Sequence, residues 1–260
     1  MTPIVIIPAR LASSRLPGKP LADIAGLPMI VWVMRRAEAA NVGPVAVACG
    51  EAEIAAAVRA AGGHAVLTDP DLPSGSDRVQ QALAILDPDG RHDVILNLQG
   101  DVPTVDPTVI RAALLPLVES RFDIGTVVVP IADATEAVTP SFVKAACAFG
   151  PGAAVAAVHY FSRAPIPWGE GPRWHHIGIY AYHRAALARF VALPQSPLER
   201  REGLEQLRAL EAGMHIGCAR VAHGPFGVDT PADLQRARGI LAAAPGGNSG
   251  VNTCADKGSP

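Results

Sequence analysis

The stretch that decides the fold is IVIIPARLASSRLPGKPL, residues 4 to 21. Its first four residues form a short apolar, β-branched run that is typical of a buried strand, and Pro8 ends that run. The loop that follows carries three cationic side chains, Arg10, Arg15 and Lys19. Ligands of open α/β sheets bind outside the carboxyl ends of the strands, so this loop predicts a polyphosphate site. The alternative is an ordinary solvated basic loop on an α/β domain.

Composition and charge limit the possible partners. The chain has 260 residues, which suits one α/β domain with an inserted subregion. It carries 22 basic and 24 acidic side chains, a balance that gives no general attraction to nucleic acid or to an anionic membrane. We therefore expect no nucleic-acid partner and no membrane partner, and any cationic site must be local.

The cysteines and the uncharged segments point to a cytoplasmic protein. Four widely spaced cysteines, none in a CxxC pair, predict reduced thiols: Cys49, Cys147, Cys218 and Cys254. The N-terminal residues lack the pattern of a signal peptide. Residues 145–162 contain no Asp, Glu, Lys or Arg, but Gly150-Pro151-Gly152 interrupts them, which predicts two strands and a turn instead of a membrane helix.

Apolar runs alternate with amphipathic segments as far as residue 129, which predicts a mostly parallel sheet with helical crossovers. Helices are predicted there over 79–86, with Ser76 as a possible cap, and over 107–118. From about Thr139 three apolar runs (142–149, 153–161 and 175–182) follow one another without helices, which predicts added antiparallel strands.

The remaining segments complete a single domain over residues 1–243. One long helix is predicted over 198–212, a strand over 214–221, and a last helix from Pro231 to about Ala243 with Thr230 as its N-cap. Residues 244–260 are rich in Gly, Ser and Asn without an apolar period, which predicts a disordered tail.

Two acidic residues are placed to join the cationic loop. Asp101 follows the predicted strand 94–98, and Asp229 precedes the last helix. Mg²⁺ prefers a few carboxylate oxygens together with phosphate oxygens and water, so this pair suits a magnesium–nucleoside triphosphate complex. Each residue also has a plain structural alternative: an Asx-turn for Asp101, and a negative charge beside a helix N-terminus for Asp229.

Short sequence blocks follow one another from residue 3 to about residue 241. They are Ile7-Pro8-Ala9-Arg10, Ser14-Arg15-Leu16-Pro17-Gly18-Lys19-Pro20-Leu21, Ser74-Gly75-Ser76-Asp77-Arg78, Gln99-Gly100-Asp101, Tyr160-Phe161-Ser162-Arg163-Ala164-Pro165-Ile166-Pro167-Trp168, His176-Ile177-Gly178-Ile179-Tyr180, Pro197-Leu198-Glu199, Leu204-Glu205-Gln206-Leu207-Arg208 and Gly227-Val228-Asp229-Thr230-Pro231. In this order they resemble the 3-deoxy-manno-octulosonate cytidylyltransferase (CMP-KDO synthetase) family. That resemblance implies a GT-A-like (Rossmann-like) α/β nucleotidyltransferase fold, with a mostly parallel central sheet and added antiparallel strands.

The resemblance also implies a reaction and an assembly. The family's reaction is the Mg²⁺-dependent transfer of CMP from CTP to the anomeric hydroxyl of 3-deoxy-D-manno-octulosonate (KDO). Its products are pyrophosphate and CMP-KDO for lipopolysaccharide biosynthesis. The resemblance further implies a homodimer, with residues 1–135 as mainly the CTP-binding half and 136–226 as the sugar-acid-binding and dimerisation part.

The site residues that the resemblance implies fall into three groups. For CTP they are Arg10, Arg15, Lys19, Ser74, Gly75 and Arg78, and for Mg²⁺ they are Asp101 and Asp229; these two, with Lys19 and Arg10, are the implied catalytic residues. For the sugar acid they are Gln99, Arg163, His176, Tyr180, Glu205 and Gln206, where arginine suits a carboxylate and the others suit hydroxyls. From the residues alone, His176 and Tyr180 also fit a core role, and Glu205 fits a solvated one.

One departure and two alternative functions remain at this point. Val102 stands where the family commonly has glutamate, so that carboxylate is absent here or supplied by another group. The alternatives are a cytidylyltransferase for a related sugar acid and a non-catalytic nucleotide-binding regulator. A dinucleotide-dependent dehydrogenase is disfavoured, because no G-x-G-x-x-G follows the first strand.

Overall fold

The computed structural model describes residues 1–13, 15–119 and 121–243. In that part of the chain the strands are β1 (Pro3–Ala9), β2 (Asp23–Ile24), β3 (Leu27–Pro28), β4 (Val45–Cys49), β5 (Ala65–Leu67), β6 (Val94–Leu98), β7 (Ile124–Pro130), β8 (Lys144–Cys147), β9 (Val155–Ser162), β10 (Trp174–His183) and β11 (Ile216–Arg220). The α-helices are α1 (Met29–Ala40), α2 (Ala52–Ala60), α3 (Gly75–Leu86), α4 (Pro107–Ala112), α5 (Ala134–Val138), α6 (Arg184–Ala192), α7 (Pro197–Glu202), α8 (Leu207–Glu211) and α9 (Pro231–Ala242). Short 3₁₀ turns occupy Lys19–Leu21 and Leu115–Val118.

Strand β1 has a parallel neighbour on each side, β4 and β6, and β4 pairs in parallel with β5. Beyond β6 the sheet continues in the order β10, β7, β11, β9 and β8. The predicted α/β class with added antiparallel strands is confirmed. The additions are not confined to one edge, however, because β10 lies antiparallel between β6 and β7.

Strand β10 also closes the far end of the sheet. Its first residues pair with β8, while the register against β7 shifts between Ile177 and Tyr180. Strands β7, β11, β9, β8 and β10 therefore form a closed ring of paired strands. A shift of this kind changes the local twist and re-aims the side chains beside it, here His176 and Tyr180.

Both faces of β1 are buried, which explains its continuous apolar run. Val5 and Ile7 belong to the cluster that contains most of the apolar residues of α1, and Ile4 and Ile6 belong to the one that contains Val79 and Leu83 of α3. Helices thus cover both sides of the central strands, and the carboxyl ends of β1 and β6 stay open for a ligand.

Several predicted helices differ from the observed ones for local reasons. Helix α3 begins at Gly75, and its N-cap is Ser74 and not Ser76: the Ser74 hydroxyl accepts from the Asp77 amide at 3.2 Å. The segment predicted as the helix 107–118 divides into α4 and a 3₁₀ turn that contains Pro116. Helix α6, which directly follows β10, had no counterpart among the predicted elements.

The predicted helix 198–212 is two helices, α7 and α8. Gly203 ends α7 in the left-handed region, with φ 64°, a conformation that glycine adopts without steric cost. The last helix is confirmed, and Thr230 caps it through a capping box with Asp233.

Cys49, Cys147 and Cys218 are unpaired and lie on β4, β8 and β11. Cys254 and the tail predicted to be disordered, 244–260, lie outside the described residues. None of the helices in the described ranges has the length and apolar composition required to cross a bilayer.

Candidate active site

A pocket of about 380 Å³ opens at the carboxyl ends of β1 and β6. The loop after β1, the start of α3 and the end of β6 all line it. Residues predicted from the sequence that meet there are Arg10, Arg15, Lys19, Ser74, Gly75, Arg78, Gln99 and Asp101. The expectation that parallel strand ends would collect these side chains at one edge agrees with this geometry.

Lys19 lies between two carboxylates. Its Nζ is 2.8 Å from Asp101 Oδ2 and 3.1 Å from Asp229 Oδ1. Burial lowers the pKa of Lys19, but the carboxylates of Asp101 and Asp229 outweigh it and raise that pKa above its ordinary value. Arg15 Nη2 lies 3.2 Å from the other oxygen of Asp229. The cationic loop therefore faces the two acidic residues directly.

A backbone hydrogen bond holds the segments of the two aspartates together although they are far apart in the sequence. The Val228 amide donates to the Asp101 carbonyl at 2.9 Å, which ties the start of α9 to the end of β6. Thr230 caps α9, so the Asp229 carboxylate is not required as a cap. Asp101 thus lines the pocket, while the Asp229 carboxylate, outside the pocket lining, contacts Lys19 and Arg15 at this junction.

The donor set fits Mg²⁺. Two carboxylates converge on one point where the structure already places a positive charge, the ammonium of Lys19. Within the described ranges no three His, Cys, Asp or Glu residues are grouped to hold a metal ion. A cation here would complete its coordination with phosphate oxygens and water, which is the usual arrangement for Mg²⁺.

Two of the residues expected at CTP have structural contacts as well. Arg78 is 2% exposed, and its guanidinium donates to Thr68 Oγ1 and to the carbonyls of Asp69 and Pro70. Ser74 caps α3. Their side chains shape the wall of the pocket by fixing the segment between β5 and α3.

The residues expected at the sugar acid are more dispersed. Gln99 lines the pocket, whereas the other five, all within the described part of the chain, do not. The Glu205 carboxylate accepts from the Ser76 hydroxyl at 3.0 Å, which places it next to Gly75 at the pocket edge. The His176 and Tyr180 rings lie 5.4 Å apart on β10. Gln206 is 7% exposed, at the start of α8.

His176 is neutral and has a defined tautomer. Its Nε2 lies 3.1 Å from Thr126 Oγ1, and the same hydroxyl lies within hydrogen-bond distance of the carbonyls of Ile177 at 3.2 Å and Ile179 at 2.8 Å, which can only accept, so its one proton is needed for a carbonyl. Nε2 is therefore the protonated nitrogen and donates to Thr126. Burial lowers the pKa of His176 to about 3, and burial also raises that of Tyr180 well above its ordinary value.

The Arg163 guanidinium binds backbone carbonyls, and it is the Arg163 backbone amide that donates to the Glu202 carboxylate, at 3.0 Å. Its guanidinium donates to the carbonyls of Glu202 at 2.8 Å, Pro140 at 3.1 Å and Gly203 at 3.3 Å. These contacts fix the turn between α7 and α8, just ahead of Glu205. Arg163 thus holds the turn that precedes Glu205 and Gln206, two of the residues predicted for the sugar acid.

Comparison with known proteins agrees with this geometry. A family model described as Cytidylyltransferase matches residues 4–216. A 3-deoxy-manno-octulosonate cytidylyltransferase of Parvibaculum lavamentivorans is 63% identical over 92% of this chain and 93% of its own length. One from Paramagnetospirillum magneticum is 58% identical over 94% and 99%. The chain belongs to the 3-deoxy-manno-octulosonate cytidylyltransferase family.

Solved structures agree with this family assignment. A structure of CMP:2-keto-3-deoxy-manno-octonic acid synthetase complexed with CTP superposes with a TM-score of 0.84 at 39% identity, and covers 93% of this chain and 99% of that one. A cytidylyltransferase of Leptospira borgpetersenii, at 13% identity and a TM-score of 0.60, shares the fold alone. This family member is accordingly a nucleotidyltransferase.

The sequence reasoning missed a buried ion pair behind the site of this cytidylyltransferase. Arg208 Nε donates to Glu199 Oε2 at 2.9 Å, and both side chains are buried. The hydrogen bond to Glu199 raises the pKa of Arg208, and burial lowers it by a smaller amount, so the pKa lies above its ordinary value. The available signal was the S-x-x-E pattern from Ser196 to Glu199, which forms a capping box at the start of α7.

Proposed function

We propose that this protein transfers CMP from CTP to the anomeric hydroxyl of KDO and releases pyrophosphate. The observation that carries the proposal is the contact of the cationic loop with both aspartates: Asp101 lines the pocket, and Asp229, which is not among the lining residues, is joined to it through Lys19. Its relatives that are 58–63% identical bear the name of this activity. The proposal includes a cytoplasmic homodimer that acts in lipopolysaccharide biosynthesis.

In this reaction the oxygen of the anomeric hydroxyl bonds to the α-phosphorus of CTP and its proton passes to solvent, while the bond from that phosphorus to the pyrophosphate oxygen breaks. Lys19, Arg10 and Arg15 line the space where the leaving group would lie, and their charges stabilise it. Asp101 and Asp229 would hold Mg²⁺, which when bound polarises the phosphate and the attacking hydroxyl. Positioning and charge neutralisation thus supply the catalysis, without a covalent enzyme intermediate.

We further propose that the sugar acid binds on the side of the pocket where Gln99 approaches β10. Neutral His176 and un-ionised Tyr180 suit hydroxyl groups better than the carboxylate of the sugar. Arg163 acts in part by holding the turn that precedes Glu205. The remaining residues proposed for this pocket are Glu205 and Gln206.

A pyrophosphate-release assay tests the substrates. Each of the four nucleoside triphosphates is combined with KDO and with related sugar acids, in the presence of Mg²⁺. We expect turnover with CTP and KDO. Turnover with CTP and a different acid would favour the related cytidylyltransferase, and binding of CTP without turnover with any acid would favour the regulator.

Substitution of Asp101 tests the proposed metal site. Loss of a metal ligand removes several kcal/mol of transition-state stabilisation, so Asp101→Asn and Asp101→Ala are expected to lower kcat by at least about 100-fold. The matched control is Asp89→Ala, which removes an exposed carboxylate that pairs with Arg91. A folded Asp101→Ala protein that keeps the activity of the control would contradict the metal role.

A further inference from the structure

Lys19 occupies the point at which the two proposed metal ligands meet. The Lys19 side chain is 16% exposed, less than either Asp101 at 30% or Asp229 at 42%. With Arg15 on the second oxygen of Asp229, three of the four carboxylate oxygens already contact a cationic side chain. The carboxylate pair is therefore neutralised by the protein itself.

The backbone of Lys19 is fixed, while its side chain reaches the pocket. Gly18 adopts φ 67°, and Lys19 opens a 3₁₀ turn in which the Ala22 amide donates to the Lys19 carbonyl at 3.2 Å. The same side chain lines the pocket together with Arg10. A flexible four-carbon stem on a fixed turn lets the ammonium move between the carboxylates and the pocket.

A divalent cation and this ammonium exclude one another. Mg²⁺ binds carboxylate oxygens at about 2.0–2.1 Å, within the space that now separates those oxygens from Nζ. Two like charges at that distance repel strongly in a partly buried site. The phosphates of a nucleotide in the same pocket would offer the ammonium another anionic partner.

We propose that Lys19 is an internal counter-ion that competes with the divalent cation, and that a nucleoside triphosphate relieves this competition by drawing the ammonium away. Cation and nucleotide then bind with positive coupling, each raising the affinity of the other. The proposal rests on the proposed function for the place of the phosphates, but the competition itself is a property of the protein without substrate.

Mn²⁺ binding to the full-length protein tests the competition, with free Mn²⁺ measured by electron paramagnetic resonance and no nucleotide present. We expect Lys19→Met to bind Mn²⁺ at least about tenfold more tightly than wild type, within the 5- to 150-fold range of typical coupling. Lys19→Gln, which keeps a hydrogen-bond donor without the charge, is a second variant with the same expectation. Adding Asp101→Asn to Lys19→Met should abolish the gain.

Arg15→Met is the matched control, because it removes one positive charge from the same carboxylate, Asp229. The Arg15 side chain is 66% exposed, so its removal is expected to change Mn²⁺ affinity by less than about fivefold. If Lys19→Met gains no more than Arg15→Met, the competition is general electrostatics and the proposal is wrong. Thermal melts of each variant establish that it is folded.

A second measurement tests the coupling. Saturating α,β-methylene-CTP, corrected for the Mn²⁺ that it binds in protein-free solution, should raise the Mn²⁺ affinity of wild type more than that of Lys19→Met. An equal increase in both proteins would overturn the coupling. If wild type turns over CTP and KDO but Lys19→Met binds Mn²⁺ no more tightly than wild type, the competition alone is rejected. If Lys19→Met binds Mn²⁺ more tightly but wild type shows no turnover, the proposed function alone is rejected.

Discussion

We expect the protein to lose stability between pH 6.5 and pH 5 because His176 is buried in its neutral form. The His176 side chain is 7% exposed and packs edge-on against Phe161, with the ring centroids 4.7 Å apart. Burial, with a smaller contribution from the neighbouring His175, lowers the pKa of His176 to about 3. Protonation in the folded state is therefore unfavourable throughout this pH range.

The direction and the size of the stability loss follow from the difference between the pKa of His176 in the folded protein and its pKa in the unfolded chain. In the unfolded chain a histidine has its ordinary pKa of about 6.5, so below that pH only the unfolded state takes up the proton. The contribution to stability is complete above pH 6.5 and falls by about 1.4 kcal/mol for each pH unit below it. At pH 5 His176 would have removed about 2 kcal/mol from a total that is typically about 5–15 kcal/mol.

Urea unfolding at pH 7 and at pH 5 measures this loss. His176→Gln cannot titrate but keeps an N–H donor for Thr126, so its stability should fall by about 2 kcal/mol less than that of wild type over this range. His159→Gln, at an exposed position of β9, is the control and should behave as wild type. If all three proteins lose the same stability, His176 titrates normally and its neutral assignment is wrong.

Three further substitutions address the surroundings of the site. Arg208→Met leaves the buried Glu199 carboxylate without its cationic partner and should lower the free energy of unfolding by about 3–5 kcal/mol in urea titrations. A loss below about 1 kcal/mol would show that this ion pair does not stabilise the fold. Arg163→Ala should raise the KM for the sugar acid at least about tenfold by releasing the turn before Glu205, without changing that for CTP; an equal rise in both would contradict the positioning role. Val102→Glu places a carboxylate in an apolar cluster, so urea titrations should show a free energy of unfolding lower by at least about 2 kcal/mol. Tighter Mn²⁺ binding by this variant would contradict the assignment of position 102 to the apolar core.

The parts of the fold that depend on neighbouring residues could be predicted from the sequence. The apolar run of β1 and the Pro8 that follows it define a strand and a loop by themselves. Thr230 and Pro231 are typical cap and first-turn residues, and α9 begins there. The cationic side chains of the first loop face the pocket for the same local reason: they follow a strand of a parallel sheet.

The parts that depend on distant contacts could not be predicted. The insertion of β10 between β6 and β7 is decided by pairing across the whole sheet. The apolar period of residues 198–212 continues through Gly203, so the helical pattern alone does not reveal the left-handed residue that divides it. Likewise Arg163 resembles an anion-binding residue in the sequence, whereas its guanidinium binds carbonyls of Pro140 and Glu202, 23 and 39 positions away, which the sequence does not place beside it.

Asp229 illustrates how apolar packing determines the geometry of the charged site. It lies next to Val228, which is fully buried in a cluster formed by α9, α1 and the β2–β3 hairpin: Ile24, Met29, Val228, Leu234, Ala237 and Leu241. Burial of one such side chain stabilises the fold by about 1.5–3 kcal/mol, and Leu16, from the loop that carries Lys19, packs against the same cluster. The segments that carry the Asp229 carboxylate and the Lys19 ammonium thus pack against the same apolar cluster, although 210 positions separate the two residues in the chain. A change in that packing therefore moves both partners, and it would appear in cation affinity as well as in stability.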